Sequence, residues 1–305
     1  MKVVETIADV RTLTDAARST GGTVGLVPTM GFFHAGHRSL MTTAVSAHDL
    51  VVVSSFVNPT QFAPNEDLAA YPRDPDSDDA VAAAAGVGVM FRPSVDEMYP
   101  HGPPRTTVHV AELTEGMCGA ARPTHFDGVT TVVAKLFSIV GPCHAYFGRK
   151  DFQQLAVVRH MAQDLDLPVT VVGCPLIREA DGLALSSRNA YLAPDERAAA
   201  PVLHAALVEV AGAVREGLRD AESARAIVRD RIGEEPLLDL EYVEIRASDS
   251  LEPVTMLDGS FVVALAARVG RARLIDNVVI GVTAGGVEAD LGAQIADGPS
   301  RRATP

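Results

Sequence analysis

The segment from residue 24 to residue 37 constrains the fold of this chain more than any other, because it joins an apolar run to a helix start through a glycine-containing turn. Residues 24–27 have the composition of a buried strand bounded by glycine and proline. Pro28, Gly31 and Gly36 then interrupt the pattern, and a helix is predicted to begin near Gly36. The segment therefore predicts a strand, a turn and a helix N-terminus.

Two histidines, His34 and His37, lie at the start of this predicted helix. Side chains three residues apart on a helical turn point to the same side. Backbone N–H groups and the positive end of the helix dipole favour an anion at such a place, most often a phosphate. A second interpretation stays open, in which the two are unrelated surface histidines on a loop.

Strand-like apolar runs alternate with helical patterns up to about residue 175. The later strands are predicted at residues 50–57, 87–91, 144–147 and 169–172, and the helices at residues 39–47, 76–85, 129–139 and 152–165. Runs of Val, Ile and Leu alternating with helices indicate a parallel sheet buried on both faces. The predicted fold class is α/β, a doubly wound (Rossmann-like) parallel sheet, in which ligands bind outside the carboxyl ends of the strands.

The pattern changes from about residue 180, where two amphipathic helices are followed by consecutive strands. The helices are predicted at residues 194–215 and 222–232, and the strands at residues 240–246, 260–268 and 272–280. This order predicts a second, smaller α+β C-terminal domain with an antiparallel sheet. The predicted limits are residues 1–178 for the Rossmann-like domain, 179–284 for the C-terminal domain and 285–305 for a disordered tail.

Composition and charge exclude several classes of partner. The chain of 305 residues has a net charge of −13, which repels polyphosphate backbones and argues against nucleic-acid binding. Its three cysteines include no C-x-x-C pair, so neither a disulfide framework nor a zinc site is predicted. We expect no signal peptide and no apolar run of bilayer-spanning length, and therefore a cytoplasmic protein without a membrane partner.

Polar side chains gather at further predicted strand ends. Asn58 and Gln61 follow the second strand of the alternation, and their amides suit substrate hydroxyls and carboxylates, although an ordinary loop before a proline is the alternative. His125 precedes a helix and is interpreted as catalytic or, with better odds for an isolated histidine, as structural.

An acidic run follows Tyr71, with carboxylates at residues 74, 76, 78 and 79. Mg²⁺ prefers oxygen ligands and often uses only one or two carboxylates, so the run predicts a metal contact, and the run alone leaves open which carboxylate makes it. The alternative is a helix N-cap with acidic residues in the first turn.

Two later stretches offer groups for phosphates. Gly148 permits close backbone approach, Lys150 can place a point charge on a phosphate, and Gln154 lies one turn further along; a solvated helix start is the alternative. The stretch 177–189 ends in Ser-Ser-Arg-Asn, and its hydroxyls and guanidinium suit a triphosphate.

Taken in order, these stretches resemble the pantothenate synthetase (pantoate–β-alanine ligase) family. The matching motifs are PTMGFFHAGH, FVNPTQF, YPRD, RPTHFDGV, YFGRKDFQQ and READGLALSSRN, which cover residues 20–195 densely. The H-x-G-H pattern is similar to the HIGH motif of nucleotidylyl transferases and class I aminoacyl-tRNA synthetases, and residues 185–188 stand where such enzymes carry their second signature. Arg149 departs from the family, which usually has Glu there.

The resemblance implies an ATP-dependent ligase that joins D-pantoate to β-alanine through a pantoyl adenylate and releases AMP and pyrophosphate. It implies His37, His34 and Lys150 as catalytic residues, Gln61 as a contact of pantoate and β-alanine, and Gln154 as a contact of pantoate. It also implies Mg²⁺ and a homodimer, and alignment of the acidic run with the family assigns the metal contact to Asp78, with Asp76 and Asp79 as the alternatives. The implied ATP-binding residues are Met30, Gly31, Phe32, Phe33, His34, Ala35, Gly36, His37, Gly148, Arg149, Lys150, Asp151, Ile177, Leu185, Ser186, Ser187 and Arg188.

Two rival functions stay open at this point. Another H-x-G-H nucleotidylyl transferase would transfer a nucleotide to a phosphate and retain it in the product. A catalytically silent ligand-binding protein could share the same fold, since a fold does not guarantee activity.

Overall fold

The computed structural model describes residues 1–63, 68, 69 and 71–295. Backbone contacts divide the chain into two compact units. The first unit comprises Met1–Arg149 and Val157–Cys174, and the second comprises Lys150–Ala156 and the chain from Pro175 onward. The domain limits read from the sequence stay a prediction.

A six-stranded parallel sheet forms the centre of the first unit. Its strands, in chain order, are β1 (Lys2–Val4), β2 (Val24–Thr29), β3 (Leu50–Ser55), β4 (Val89–Phe91), β5 (Cys143–Gly148) and β6 (Val169–Cys174). The helices are α1 (Ile7–Ser19), α2 (Ala35–Ala47), α3 (Pro75–Ala84), α4 (Val95–Met98), α5 (Met117–Ala121), α6 (His125–Val140) and α7 (Phe152–Asp164), the first turn of which belongs to the second unit.

The order of the strands locates the binding edge of this sheet. The spatial order is β1-β4-β3-β2-β5-β6, so the chain runs one way from β2 to β3 and β4 and the other way from β5 to β6. Ligands of doubly wound sheets bind outside the carboxyl ends of the strands at such a reversal. The chain leaves β2 into residues 30–37 and leaves β5 into Arg149, which places the H-x-G-H loop and the pair Gly148 and Arg149 at this edge.

The second unit has an antiparallel sheet in the order β11-β10-β9-β8. The strands of this sheet are β8 (Leu238–Ala247), β9 (Gly259–Val269), β10 (Ala272–Thr283) and β11 (Gly286–Asp290). The unit also contains β7 (Ile177–Arg178) and β12 (Ala293–Gln294), which form a separate two-stranded sheet. Its helices are α8 (Pro194–Ala199), α9 (Val202–Arg215) and α10 (Ala221–Gly233). Apolar residues of α9 and α10 form one core with the inner face of the sheet. The predicted combination of a doubly wound domain and an α+β domain is confirmed.

The prediction of a disordered tail from residue 285 is wrong for residues 286–294. Strand β11 pairs with β10 through a tight hairpin in which Thr283 is paired with Gly286, and β12 pairs in parallel with β7. Val287 and Ala289 pack against the core of the second unit. The polar, glycine-containing composition suggested disorder, but pairing with β10 supplies the hydrogen bonds that a free tail would lack. Residues 296–305 lie outside the described part of the chain.

One apolar stretch corrects a second expectation. Residues 194–215 are long and apolar enough to cross a membrane by length and composition, contrary to the sequence-based expectation. In the structure they form α8 and α9, which are separated at Pro201. Leu203, Leu207 and Val210 of α9 are at most 1% exposed and belong to the core of the second unit, as expected for a core helix of a folded domain.

Candidate active site

The loop between β2 and α2 is shaped by one carboxylate. Gly31 and Phe32 both have positive φ angles, 83° and 54°, so their backbone is left-handed at two successive residues. The two oxygens of Asp78 accept hydrogen bonds from the N–H groups of Phe32, at 2.8 Å, and Phe33, at 2.7 Å. A Cβ atom on Gly31 would lie 2.9 Å from Ser55 Oγ and 3.0 Å from Asp78 Oδ2. Glycine is therefore required, and Asp78 occupies the concave backbone nest.

His34 and His37 cap the start of α2 through their Nδ1 atoms. His34 Nδ1 accepts from the N–H of Gly36 at 3.1 Å, and His37 Nδ1 accepts from the N–H of His34 at 3.3 Å. A neutral imidazole whose Nδ1 is an acceptor carries its proton on Nε2. The rings lie 4.1 Å apart between centroids, which confirms that they share one side of the turn. The pair therefore presents Nε2–H donors at a helix N-terminus, where an anion is favoured.

The acidic run forms the N-terminus of α3, as its alternative interpretation predicts. Asp74 is the N-cap and accepts from the N–H of Ser77 at 3.1 Å, while Asp79 pairs with Arg92 at 2.7 Å. Asp78 is 2% exposed and both of its oxygens accept backbone N–H groups. Among residues 1–63, 68, 69 and 71–295, no group of three His, Cys, Asp or Glu side chains could hold a metal ion. Both Asp78 oxygens are thus engaged by the loop between β2 and α2, and the metal contact assigned to Asp78 stays a prediction.

Asn58 and Gln61 have different roles in the first unit. The Nδ2 group of Asn58 donates to Gln61 Oε1 at 3.2 Å and to the Gly128 carbonyl at 3.1 Å, and its Oδ1 accepts from the Tyr99 hydroxyl at 2.8 Å. Asn58 is 1% exposed, so its amide is used inside the protein. Gln61 Nε2 lies 3.0 Å from Met30 Sδ, at the start of the H-x-G-H loop. Asn58 thus orients Gln61 with its amide nitrogen toward that loop.

The backbone of Gln61 is held from α6 and the segment before it. His125 Nδ1 donates to the Gln61 carbonyl at 2.9 Å, and Arg122 Nη2 donates to the same oxygen at 3.2 Å. Arg122 Nη1 donates to His125 Nε2 at 3.1 Å, which leaves the imidazole proton on Nδ1. A Cβ atom on Gly128 would lie 2.4 Å from the Thr60 carbonyl oxygen, so α6 packs directly on this loop. The structural interpretation of His125 agrees with this geometry, and the role of Arg122 was missed from the sequence.

Lys150 begins the second unit, and its main chain is anchored. Its carbonyl accepts from Asn277 Nδ2 at 2.8 Å. Its ammonium group lies 4.0 Å from Asp151 Oδ2. Gln154 lies in the first turns of α7 and is partly exposed. In the first unit, Gly148 ends β5 and leads into Arg149.

The predicted ATP-binding residues of the stretch 177–189 are brought together by a folded loop. The N–H of Leu185 donates to the Ile177 carbonyl at 3.0 Å. Ser186 caps a short 3-10 helix, Ser187–Tyr191, and its Oγ accepts from the N–H of Arg188 at 3.2 Å. Leu185 is buried in the second unit. Phe33, in the loop between β2 and α2, lies in the core of the first unit.

Charged residues within and after this stretch hold it in shape. Arg197 donates to Glu179 and to Asp181, each at 2.7 Å. Burial alone would raise the pKa of Asp181, but the hydrogen bonds from Arg197 and from the Leu183 N–H outweigh it and lower that pKa. Arg178 is paired with Asp276. The sequence singled out Ser186, Ser187 and Arg188 and missed these anchors.

Comparison with known proteins identifies the family. The family model for pantoate–beta-alanine ligases matches residues 2–279. The chain belongs to this family. It is 52% identical to the pantothenate synthetase of Heliobacterium modesticaldum, over 92% of this chain and 100% of that protein. It is 49% identical to the pantothenate synthetase of Acetivibrio thermocellus over the same shares. The resemblance drawn from the motifs and the predicted enzyme class, a ligase, are confirmed.

Solved structures of this family show the same fold. A pantothenate synthetase from Thermus thermophilus matches with a TM-score of 0.86 and 46% identity, over 91% of this chain and 98% of that one. A pantoate–beta-alanine ligase from Francisella tularensis, complexed with beta-gamma ATP and beta-alanine, matches with a TM-score of 0.70 and 30% identity, over 91% and 97%. The predicted fold class therefore holds across the family.

Proposed function

We propose that this protein joins D-pantoate to β-alanine with ATP as the energy source and releases AMP and pyrophosphate. Family membership supports the substrates, and the Francisella tularensis relative holds two of them, beta-gamma ATP and beta-alanine. The observation that carries the proposal in this chain is the pair of imidazoles at the start of α2, which presents Nε2–H donors. Such donors suit a phosphate chain, whose negative charge shifts during the reaction.

The first step forms a pantoyl adenylate. A pantoate carboxylate oxygen attacks the α-phosphorus of ATP, the bond from that phosphorus to the bridging oxygen breaks, and pyrophosphate leaves. A carboxylic acid with a pKa of about 4 is already ionised at neutral pH, so the attacking group needs no general base. His34, His37 and Lys150 act as donors that stabilise charge on the phosphates and on the leaving pyrophosphate.

The second step forms the amide bond. The neutral amine of β-alanine attacks the activated carbonyl carbon, the bond to the AMP oxygen breaks, and the amine loses a proton. An aliphatic amine has a pKa of about 10, so only a small fraction is neutral near pH 7. The rate of this step rises with pH through the mildly alkaline range. Single-turnover measurement of amide formation from preformed adenylate checks this, and a rate independent of pH contradicts it.

Gln61 and Gln154 bind pantoate in this proposal, and Gln61 also contacts β-alanine. Asn58 holds Gln61 Oε1, so the Gln61 amide nitrogen is the group that donates to a pantoate oxygen. The ATP-binding residues are those implied by the family: residues 30–37, residues 148–151, Ile177 and residues 185–188. Backbone N–H groups, two serine hydroxyls and the cations of this set are suitable partners for phosphate oxygens.

Magnesium enters this proposal with the nucleotide. The oxygens of Asp78 already accept backbone N–H groups, and we derive no step through a metal ion at that residue. Mg²⁺ readily binds substrate phosphates while keeping several waters. The substrate is therefore Mg·ATP, with the ion held by phosphate oxygens and water.

The deciding experiment measures pyrophosphate release from Mg·ATP and D-pantoate, with and without β-alanine. We expect about one equivalent of pyrophosphate per site with pantoate alone, and continuous AMP formation only after β-alanine is added. A nucleotide retained in the product identifies the rival nucleotidylyl transferase. ATP binding without pyrophosphate under either condition identifies the silent binder.

Two further expectations concern the whole protein. A homodimer and a cytoplasmic location stay predictions from the family resemblance and the sequence. Light scattering of the purified protein determines the first, and a mass near 32.1 kDa, that of a single chain, contradicts it.

A further inference from the structure

Strand β10 places a carboxylate where its pattern calls for an apolar side chain. Alternate residues of β10 face the core of the second unit, and Leu274, Val278 and Ile280 are apolar and buried there. Asp276 occupies the position between Leu274 and Val278 and is 3% exposed. A lone charge at a buried position is costly, so this carboxylate needs a permanent partner.

That partner is Arg178, and its guanidinium also binds the loop that follows it. Arg178 Nη1 donates to Asp276 Oδ2 at 2.7 Å, and Nη2 donates to Asp276 Oδ1 at 2.9 Å. Nη1 also donates to the Gly182 carbonyl at 3.0 Å, and Nη2 to the Asn277 carbonyl at 3.3 Å. Arg178 is 1% exposed. The planar, bidentate pair therefore ties the start of the 177–188 loop to the middle of β10.

Asn277 faces the other side of β10 and binds a different segment. Successive residues of a strand point to opposite faces, so the Asn277 side chain projects away from that of Asp276. Asn277 is buried, and its Nδ2 group donates to the Lys150 carbonyl at 2.8 Å. Its N–H donates to Asp276 Oδ1 at 2.7 Å. Asp276 and Asn277, which are adjacent in β10, are thus bound to two segments that lie far from β10 in the sequence: the 177–188 loop and Lys150.

We propose that Asp276 and Asn277 are positioning residues for the two ATP-binding segments of the second unit. Asp276 positions the 177–188 loop through Arg178, and Asn277 positions Lys150 through its carbonyl. The inference rests on the proposed function, in which both segments bind ATP. Catalysis by a point charge depends on placement, and a displacement of about 1 Å can reduce the rate about 100-fold.

Kinetic measurements on Asn277→Ala and Asn277→Asp test the effect on Lys150. Both substitutions remove the Nδ2 donor, and Asp keeps the shape of the side chain. We expect kcat/KM for ATP, measured by pantoate-dependent ATP–pyrophosphate exchange, to fall at least about tenfold, with KM for pantoate changed less than about twofold. Val279→Ala, two residues along the same face of β10, controls for lost side-chain volume and leaves both constants unchanged.

A double-mutant cycle separates positioning from a merely structural role. If Asn277 acts through Lys150, then Asn277→Ala causes no further loss of exchange rate in a Lys150→Ala background. An additional loss of about tenfold in that background overturns the proposal. The proposal is also overturned if all kinetic constants of the Asn277 variants fall in proportion to their loss of stability, measured by urea denaturation.

Hydrogen exchange tests the two arms separately, without any assay of activity. In Asn277→Ala we expect faster amide hydrogen exchange in residues 150–156 and unchanged exchange in residues 177–188. In Asp276→Asn we expect faster exchange in residues 177–188 and unchanged exchange in residues 150–156. Equal acceleration throughout the second unit in both variants overturns the proposal. If the wild-type protein shows no pantoate-dependent ATP–pyrophosphate exchange, the proposed function fails. The positioning role is then tested by calorimetry of ATP binding. Weaker binding by Asn277→Ala than by the wild type supports that role, and unchanged binding overturns it.

Discussion

The two loops assigned to ATP, residues 30–37 in the first unit and residues 177–188 in the second, are held by opposite means. The first carries its own helix N-terminus, so its orphan N–H groups need acceptors, and Asp78 and two imidazoles supply them. The second has no long helix of its own. A buried arginine, paired with a carboxylate 98 residues away, holds it. The first loop is therefore held by acceptors for its helix N-terminal N–H groups, whereas the second is held by a buried ion pair.

This difference predicts where damage falls when an anchor is removed. In the first loop the anchor is the buried carboxylate of Asp78, which accepts two backbone N–H groups. Its loss leaves N–H groups without acceptors rather than a charge without a partner, so we expect it to alter ligand binding before it alters folding. In the second loop the anchor is half of a buried ion pair, so its loss leaves an uncompensated charge in a core. Substitutions in each loop test this contrast.

Arg178→Ala is expected to cause the largest loss of stability. Without the guanidinium, Asp276 is left buried and unpaired, and the free energy of unfolding falls by about 3–5 kcal/mol. Urea denaturation followed by circular dichroism measures the change. Replacing both partners with apolar residues, Arg178→Met with Asp276→Leu, restores most of the stability because no lone charge remains. A loss below about 1 kcal/mol in the single variant contradicts a buried-charge role.

Substitutions of His37 are expected to damage pyrophosphate release without unfolding the protein. His37→Asn keeps an acceptor near the Nδ1 position and loses the distal donor, whereas His37→Gln places its amide nitrogen near the Nε2 position. We expect His37→Asn to slow pyrophosphate release by about 10²–10³-fold and His37→Gln to retain a larger part of the rate, because the Nε2–H donor acts on the phosphates. Rapid-quench measurement with pantoate and Mg·ATP decides this. An unchanged rate in His37→Asn refutes the donor role.

Asp78→Asn is expected to raise KM for ATP about tenfold, since an amide nitrogen would face one of the N–H groups of Phe32 or Phe33 and leave it without an acceptor. Asp76→Asn, on the exposed side of the same helix, is the matched control and changes KM less than about twofold. The dependence of the rate on Mg²⁺ concentration stays unchanged in both variants. A shift in that dependence confined to Asp78→Asn would support the metal role predicted from the sequence.

The smallest effect concerns pH and the second loop. His204 packs against Gly182 of that loop, and burial, with a contribution from the Arg178 charge, lowers the pKa of His204 below 6.5. As the pH falls below 6.5, the unfolded chain binds a proton that the folded protein resists, so stability decreases. His204→Gln reduces the slope of unfolding free energy against pH between about 6.5 and 5, by less than one proton. Equal slopes in the wild-type protein and in His204→Gln contradict the prediction.

Individual residues show which features local sequence determines and which depend on packing. The strand, turn and helix start around His37 were predicted because local spacing and the Gly and Pro positions determine them. The acidic run alone does not reveal which carboxylate turns inward, so the hydrogen bonds of Asp78 to Phe32 and Phe33 could not be predicted from it. Asn58 and Gln61 looked equivalent in sequence, and only the packing of α6 and Tyr99 shows that one amide orients the other.

Local sequence is enough to predict the alternation of buried strands and helices, the family through its ordered motifs, and the residue types suited to phosphate. These are properties of short segments and of their order, which hydrophobic period, turn chemistry and side-chain charge express directly. Three features follow from the folded chain alone: Asp78 fills a backbone nest, residues 286–290 and 293–294 form paired strands, and Arg178 meets Asp276. Each of these depends on hydrogen bonds between residues that folding brings together, and no local pattern records which distant partner a buried polar group requires.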